Sequence, residues 1–225
     1  MLLHIPEVLA KNEVVQLRQV LDAGAWINGA TSAGSLAAEV KHNLQLSTES
    51  SQYQTLSQAI MAALERHPLF VSAALPQHIL SPMFNRYAGG DTYGNHIDSA
   101  IHRDAATGER TRTDISVTVF LSEPDDYEGG ELIIEDTYGS HEVKLPAGDA
   151  IIYPATSLHR VEPVTSGARV ASFLWVRSLV KDAWQRSMLF ELDMTLLKLR
   201  GQVGNTEEVI ALTGHYHNLL RQWTV

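Results

Sequence analysis

The hydrophobic residues of the chain change their spacing twice. In two segments between residues 12 and 68 they recur every three or four positions, which predicts two amphipathic helices outside a sheet. We expect Asn12 to cap the first helix and Gly24 to end it. We expect Ser50 or Ser51 to open the second helix, which ends near His67. The inward positions are Val14, Leu17, Val20 and Leu21, and then Leu56, Ile60, Ala63 and Leu64.

From about Ile79 the apolar residues form short runs separated by turn residues. The runs predicted as strands are 83–87, 114–121, 130–135, 141–145, 150–153, 159–164 and 168–176. Thr165-Ser166-Gly167 is expected to turn the chain between the last two runs and make them a hairpin. Many short strands with frequent turns are typical of a sandwich or jelly roll. The segment Leu36–Leu46 is ambiguous between helix and strand.

After Arg177 the spacing is helical again. One helix is predicted to end at Gly201–Gly204, and Asn205 is expected to cap a last helix. Whether this hairpin docks on the barrel or on a second subunit is left open. We predict an α+β chain, with a jelly-roll domain and N-terminal helices over residues 1–177 and a helical extension over 178–225. The inward positions of the hairpin are Val180, Ala183, Trp184, Met188, Leu192, Leu196 and Leu199, and then Val209, Leu212, Tyr216, Leu219 and Trp223.

Composition narrows the classes of function. The 225 residues are 44% hydrophobic, which suits one globular domain with a small appendage. Seventeen Lys and Arg against 26 Asp and Glu give a net charge of −9 without a basic run, which argues against nucleic acid and anionic membranes as partners. The absence of cysteine excludes disulfides, cysteine zinc sites and iron–sulfur clusters. With no signal-peptide pattern and no long apolar run, we expect a soluble cytoplasmic protein.

The sequence Asn95-His96-Ile97-Asp98 follows a predicted strand and a glycine-rich bend. In an extended chain His96 and Asp98 point to the same face, so both can aim at one metal ion. His159, in the strand run that starts there, is the natural third ligand. Two histidines and one carboxylate on one side of a metal form the facial triad of non-heme Fe(II) oxygenases.

Other histidines offer weaker patterns. His102 and Asp104 repeat the same spacing, but they lie in the polar run 99–113, which we interpret as a solvated loop that can border the substrate. His215 and His217 lie in a predicted helix, where residues two apart do not face each other. The isolated histidines are interpreted as surface or hydrogen-bonded core residues; they are His4, His42, His67, His78 and His141.

Arg169 makes the metal pattern more specific. If the predicted hairpin forms, Arg169 lies beside His159 on the neighbouring strand. A guanidinium can grip a carboxylate through two parallel hydrogen bonds, which is the arrangement that the distal carboxylate of 2-oxoglutarate requires. The apolar neighbours of Arg169 indicate a buried setting, where a cation needs a partner.

Several motifs resemble one family. The strings 120–124, 127–132 and 148–154 are similar to the prolyl 4-hydroxylase-like branch of the Fe(II)/2-oxoglutarate dioxygenases. The segments 26–29, 32–34 and 40–46 resemble the bacterial PKHD-type hydroxylases, and the resemblance covers nearly the whole chain. It implies a double-stranded β-helix (jelly roll) with Fe(II) on His96, Asp98 and His159 and 2-oxoglutarate on Arg169.

The resemblance also implies finer features. Tyr87 resembles the strand tyrosine that helps to hold the cosubstrate, although a core aromatic residue would give the same pattern. L-ascorbate commonly re-reduces the iron of such enzymes. The implied activity is hydroxylation of a peptide, amino acid or small metabolite with O2 and 2-oxoglutarate. Two alternatives stay open, namely a metal-binding β-barrel enzyme that does not use 2-oxoglutarate and a non-catalytic module that responds to iron or oxygen.

Overall fold

The structure is a computed structural model that describes residues 1–32, 34, 38–104 and 107–225. Its helices are α1 (Lys11–Asp22), α2 (Tyr53–Glu65), α3 (Pro68–Ala74), α4 (Ala183–Val203) and α5 (Glu207–Trp223). Its strands are β1 (Leu3–Ile5), β2 (Trp26–Asn28), β3 (Lys41–His42), β4 (Leu44–Leu46), β5 (Pro76–Ile79), β6 (Met83–Ala88), β7 (Thr92–His96), β8 (Ile101–Arg103), β9 (Arg110–Arg112), β10 (Ile115–Phe120), β11 (Tyr127–Gly129), β12 (Leu132–Asp136), β13 (Gly139–Val143), β14 (Ala150–Pro154), β15 (His159–Val161) and β16 (Val164–Ser178).

The strands form two antiparallel layers. In the described part of the chain the major sheet has nine strands and contains the run β1-β14-β10-β16-β6-β4-β2, with β5 and β11 also paired to β16. The minor sheet has five strands in the order β13-β12-β15-β7-β3. Side chains of both sheets share one apolar cluster, which includes Tyr87 and Phe120 from the major sheet and Ile134 and Val161 from the minor sheet. This is the predicted jelly roll.

The N-terminal helices cover the outer face of the major sheet. Leu17 of α1, Ile60 of α2 and Phe70 of α3 are buried in one cluster with Leu174 of β16. The predicted caps were wrong: α1 is preceded by Ala10, whose N–H donates to the Glu13 carboxylate at 2.7 Å, and α2 is preceded by Gln52. Helix α3 was not predicted, because Pro68 was interpreted as the end of the preceding helix. Proline also suits the first position of a helix, which is where Pro68 lies.

The predicted hairpin around Thr165-Ser166-Gly167 was also wrong. These residues lie inside one 15-residue strand, β16. Gly167 has a φ of 70°, and it pairs with Tyr127 of β11 while the strand continues. The ambiguous segment contains β3 and β4, whereas residues 33, 35–37, 105 and 106 lie outside the described residues.

The C-terminal hairpin docks on its own chain. Leu189 of α4 is buried with Leu75 and Val180, and Tyr216 and Leu219 of α5 pack against them. The stripe predicted for α4 was wrong in part, because Trp184 is 71% exposed and Met188 is exposed as well. Thr206, rather than Asn205, caps α5. No helix of the described residues combines the length and the apolar character needed to cross a membrane.

Candidate active site

Three predicted metal ligands meet between the two sheets. His96 ends β7 and His159 begins β15, and the two are register partners in the minor sheet. Their ring centroids are 4.1 Å apart, and Asp98 Oδ2 lies 3.8 Å from His159 Nε2. One ligand atom from each of these residues lies within 4.8 Å of the other two. The separation suits three donors that share one metal ion.

Hydrogen bonds orient each of these side chains. Nδ1 of His96 lies 2.8 Å from the carbonyl oxygen of Gly94, and Nδ1 of His159 lies 3.0 Å from that of Ser157. A carbonyl only accepts, so both Nδ1 atoms carry the proton and both Nε2 lone pairs are free for a metal. The Ser116 hydroxyl donates to Asp98 Oδ2 at 2.5 Å. Burial, together with the nearby His159, lowers the pKa of His96 to about 4, which keeps its ring neutral.

Arg169 lies at the closed end of the same cavity. It is 1% exposed, and its guanidinium carbon lies 5.5 Å from the centre of the Tyr87 ring and 5.3 Å from that of Phe120. Its Nε and Nη1 atoms have no hydrogen-bond acceptor among the described residues. A buried guanidinium with two free N–H donors fits a carboxylate ligand. Tyr87 is its register partner on β6, and burial raises the pKa of that tyrosine to about 12.

The route by which Arg169 reaches the site differs from the prediction. It does not lie on the strand beside His159, because β15 belongs to the minor sheet and β16 to the major sheet. It enters the cavity from the opposite layer. Phe173 and Trp175 line the same cavity. Both lie an even number of residues after Arg169 on β16, so all three side chains are on the same face of the strand. The three predicted metal ligands and Arg169 are therefore separated across the interior.

The remaining sequence candidates divide into lining and structural residues. His102 lines the cavity, with its ring centroid 4.2 Å from that of Trp175. The prediction that Asp104 lies in a solvated loop was wrong. Asp104 is buried and accepts hydrogen bonds from the N–H and hydroxyl of Ser81. His215 and His217 are exposed on α5, as expected.

Sequence reasoning missed several residues that touch the site. Ser116 orients Asp98, Tyr93 stacks on the His96 ring at 3.6 Å, and the Tyr153 ring meets that of His159 at 5.1 Å. Lys41 of β3 also lines the cavity. Ser116 and Thr118 alternate with apolar residues in β10, and this was the one sequence signal for a polar interior face.

The comparison with known proteins agrees with this geometry. The family profile "2OG-Fe(II) oxygenase superfamily" matches residues 82–177, and "PKHD-type hydroxylase C-terminal domain" matches residues 183–224. A PKHD-type hydroxylase of Hyphomonas neptunium is 62% identical over 99% of both chains. The chain belongs to the PKHD-type hydroxylases. Membership of this family makes it a dioxygenase that uses Fe(II), 2-oxoglutarate and O2 to hydroxylate a substrate.

Other matches extend the likeness. A second PKHD-type hydroxylase, from Janthinobacterium sp. strain Marseille, is 54% identical over the full length of both chains. A Pseudomonas putida prolyl-4-hydroxylase structure has a TM-score of 0.51 at 20% identity, covering 79% of this chain and 92% of that one. A Trichoplax adhaerens prolyl hydroxylase has a TM-score of 0.55 at 18% identity, covering 83% and 86%. At these identities the structures share the fold alone.

Proposed function

We propose that this PKHD-type hydroxylase binds Fe(II) through His96, Asp98 and His159 and anchors the distal carboxylate of 2-oxoglutarate on Arg169. The observation that supports this assignment is the pair of unpartnered N–H groups on buried Arg169, at the far end of the cavity that the three ligands border. Two neutral imidazoles and one carboxylate on one side of a metal suit Fe(II) and leave room for further ligands.

The residues of the chain position the reactants and keep the site dry. Bound Fe(II) and 2-oxoglutarate supply the oxidising chemistry that hydroxylates a C–H bond. The Nδ1–H groups of His96 and His159 donate hydrogen bonds to the backbone carbonyls of Gly94 and Ser157, which orients both rings with Nε2 toward the metal. Ser116 fixes the Asp98 carboxylate. Tyr87 and Phe120 pack beside the Arg169 guanidinium, and we assign Tyr87 a part in holding the cosubstrate.

Four finer assignments are part of the proposal. Residues 1–177 form the dioxygenase domain and 178–225 its helical extension. L-ascorbate sustains turnover by re-reducing the iron, as in the enzymes that the chain resembles. Exposed apolar side chains on the C-terminal hairpin, such as Trp184 and Ile210, support a homo-oligomer formed through these helices. The cytoplasm is the proposed location, as argued from the sequence.

Metal and cosubstrate binding test the assignment separately. We expect Asp98→Ala to abolish 2-oxoglutarate turnover and to weaken Fe(II) binding, as measured by succinate formation and by metal titration. Arg169→Ala should leave metal binding intact and raise the 2-oxoglutarate concentration needed by about 10- to 100-fold, because two charged hydrogen bonds are lost. Arg200→Ala, at an exposed position of α4, is the matched control. Full succinate production by Asp98→Ala, or an unchanged 2-oxoglutarate requirement in Arg169→Ala, would contradict the assignment.

A further inference from the structure

Lys41 is a buried cation inside the cavity, and its charge interacts with those of the proposed metal ligands Asp98 and His96. It is 5% exposed, and its Nζ lies 5.4 Å from the centre of the Tyr93 ring and 5.5 Å from that of Phe173. It also donates to the Gln45 side-chain oxygen at 3.3 Å. Phe173 is four residues along β16 from Arg169, or about 13 Å toward Trp175 at 3.3 Å per residue. Lys41 therefore serves a different part of the cavity from Arg169.

Aromatic side chains line the cavity beside Lys41. Phe173 and Trp175 meet edge to face with centroids 5.8 Å apart, and His102 contacts Trp175 from the β8–β9 hairpin. Ile97, which also lines the cavity, is 58% exposed at its mouth. A molecule that enters here meets aromatic faces and one ammonium group.

The charges of the loaded cavity do not cancel. Among the described residues that line it, Lys41, Asp98 and Arg169 carry formal charge when histidine is neutral. The two positive charges of Fe(II) and the two negative charges of 2-oxoglutarate offset each other, as do the charges of Asp98 and Arg169. Lys41 then leaves one positive charge in excess in a poorly hydrated space, which favours a ligand with one negative charge.

We propose that Lys41 is a specificity-determining residue that binds a carboxylate of the hydroxylated substrate, whose apolar or aromatic part packs on Phe173 and Trp175. This inference rests on the proposed function, because the charge count assumes that Fe(II) and 2-oxoglutarate occupy the positions given above. The substrate class is thus an acid with an apolar or aromatic group beside the carboxylate.

Binding of matched acids and amides tests the proposal without turnover. The protein is loaded with Mn(II), which occupies Fe(II) sites without reacting with O2, and with 2-oxoglutarate. The probes are 3-phenylpropionate, N-acetylphenylalanine and N-acetylleucine, each paired with its carboxamide. Dissociation constants come from the paramagnetic broadening of the probe protons by Mn(II). We expect at least one acid to bind about tenfold or more tightly than its amide, since a charged hydrogen bond is gained.

Variants of Lys41 assign that preference to its charge. Lys41→Met should reduce the preference for the acid to about one, while Lys198→Met, on the exposed face of α4, keeps it. Lys41→Gln is the second variant if Lys41→Met fails to fold, as judged by circular dichroism. The 2-oxoglutarate affinity should change less than about threefold in either variant, because Arg169 is intact.

Each other outcome overturns the proposal. If no acid is preferred by the natural protein, or the preference survives in Lys41→Met, Lys41 does not select the substrate. A tenfold loss of 2-oxoglutarate affinity in that variant would assign Lys41 to the cosubstrate instead. If the natural protein shows no metal-dependent 2-oxoglutarate binding, the proposed function fails along with this inference, whereas normal 2-oxoglutarate binding confines the failure to Lys41.

Discussion

At the scale of single residues, Ser116 of the major sheet fixes the orientation of the Asp98 carboxylate. Its hydroxyl holds Asp98 from β10, although Asp98 itself follows a strand of the minor sheet. We expect Ser116→Ala to weaken Fe(II) binding by about 10-fold, the lower end of the effect of losing a partner of a metal ligand. Ser116→Thr keeps a hydroxyl and should recover most of the affinity. Metal titration by calorimetry measures both, and equal affinity in Ser116→Ala and the natural protein would contradict the role.

The buried ammonium of Lys41 has a measurable effect on stability. Burial lowers its pKa from the ordinary 10.5 to about 8. Between pH 8 and 10.5 the unfolded chain therefore binds a proton that the folded chain does not, so this residue makes stability rise with pH across that window. The gain is about 3 kcal/mol at most, at 1.36 kcal/mol for each pKa unit.

This effect is isolated by comparing Lys41→Met with the natural protein. The metal-free proteins are unfolded by urea at a series of pH values between 7 and 10.5. The stability advantage of Lys41→Met should be largest below pH 8 and should shrink as the pH rises. A difference that stays constant with pH would show that the lysine keeps its ordinary pKa in the folded protein.

At the scale of elements, β16 depends on one glycine in a left-handed conformation. Gly167 has a φ of 70°, and a Cβ there would collide with the backbone carbonyl oxygen of Asp126. We expect Gly167→Ala to lower the free energy of unfolding by about 2 kcal/mol or more, through backbone strain and the collision together. Gly201→Ala is the control, because a Cβ in that part of α4 meets no described atom within 4 Å. It should stabilise the protein by about 0.5–1 kcal/mol, as measured by urea unfolding.

Strand β16 also shows which structural features could not be predicted from the sequence. The spacing of apolar residues predicted most strands, and residue chemistry brought His96, Asp98, His159 and Arg169 together. The turn residues 165–167 were misread because β11, which pairs with them, comes from a distant part of the chain. Lys41 was missed for a similar reason: its burial depends on the pairing of β3 with β7, and two residues of strand carry little local signal.

At the scale of the whole molecule, the C-terminal hairpin and the barrel share a cluster of apolar side chains. Leu189 is 1% exposed and packs with Leu75 and Val180, next to the end of β16. We expect Leu189→Ala to lower the free energy of unfolding by about 2–4 kcal/mol, because it leaves a cavity in that cluster. Tryptophan fluorescence and circular dichroism should report one shared transition.

Leu197 provides the control on the same helix. It is 56% exposed, so Leu197→Ala should change the stability of the monomer by less than about 0.5 kcal/mol. If Leu189→Ala unfolds the hairpin while the barrel keeps its own transition, the two parts are independent, and the hairpin does not stabilise the site.

The depth of Arg169 has a consequence for the order in which reactants arrive. The proposed anchor for the cosubstrate is at the closed end, while Phe173, Trp175 and Ile97 border the approach to it. A compound held at that approach obstructs the path to the interior. We therefore expect compulsory sequential kinetics, with 2-oxoglutarate first and the molecule to be hydroxylated second. Succinate, which is released from the innermost position, leaves last.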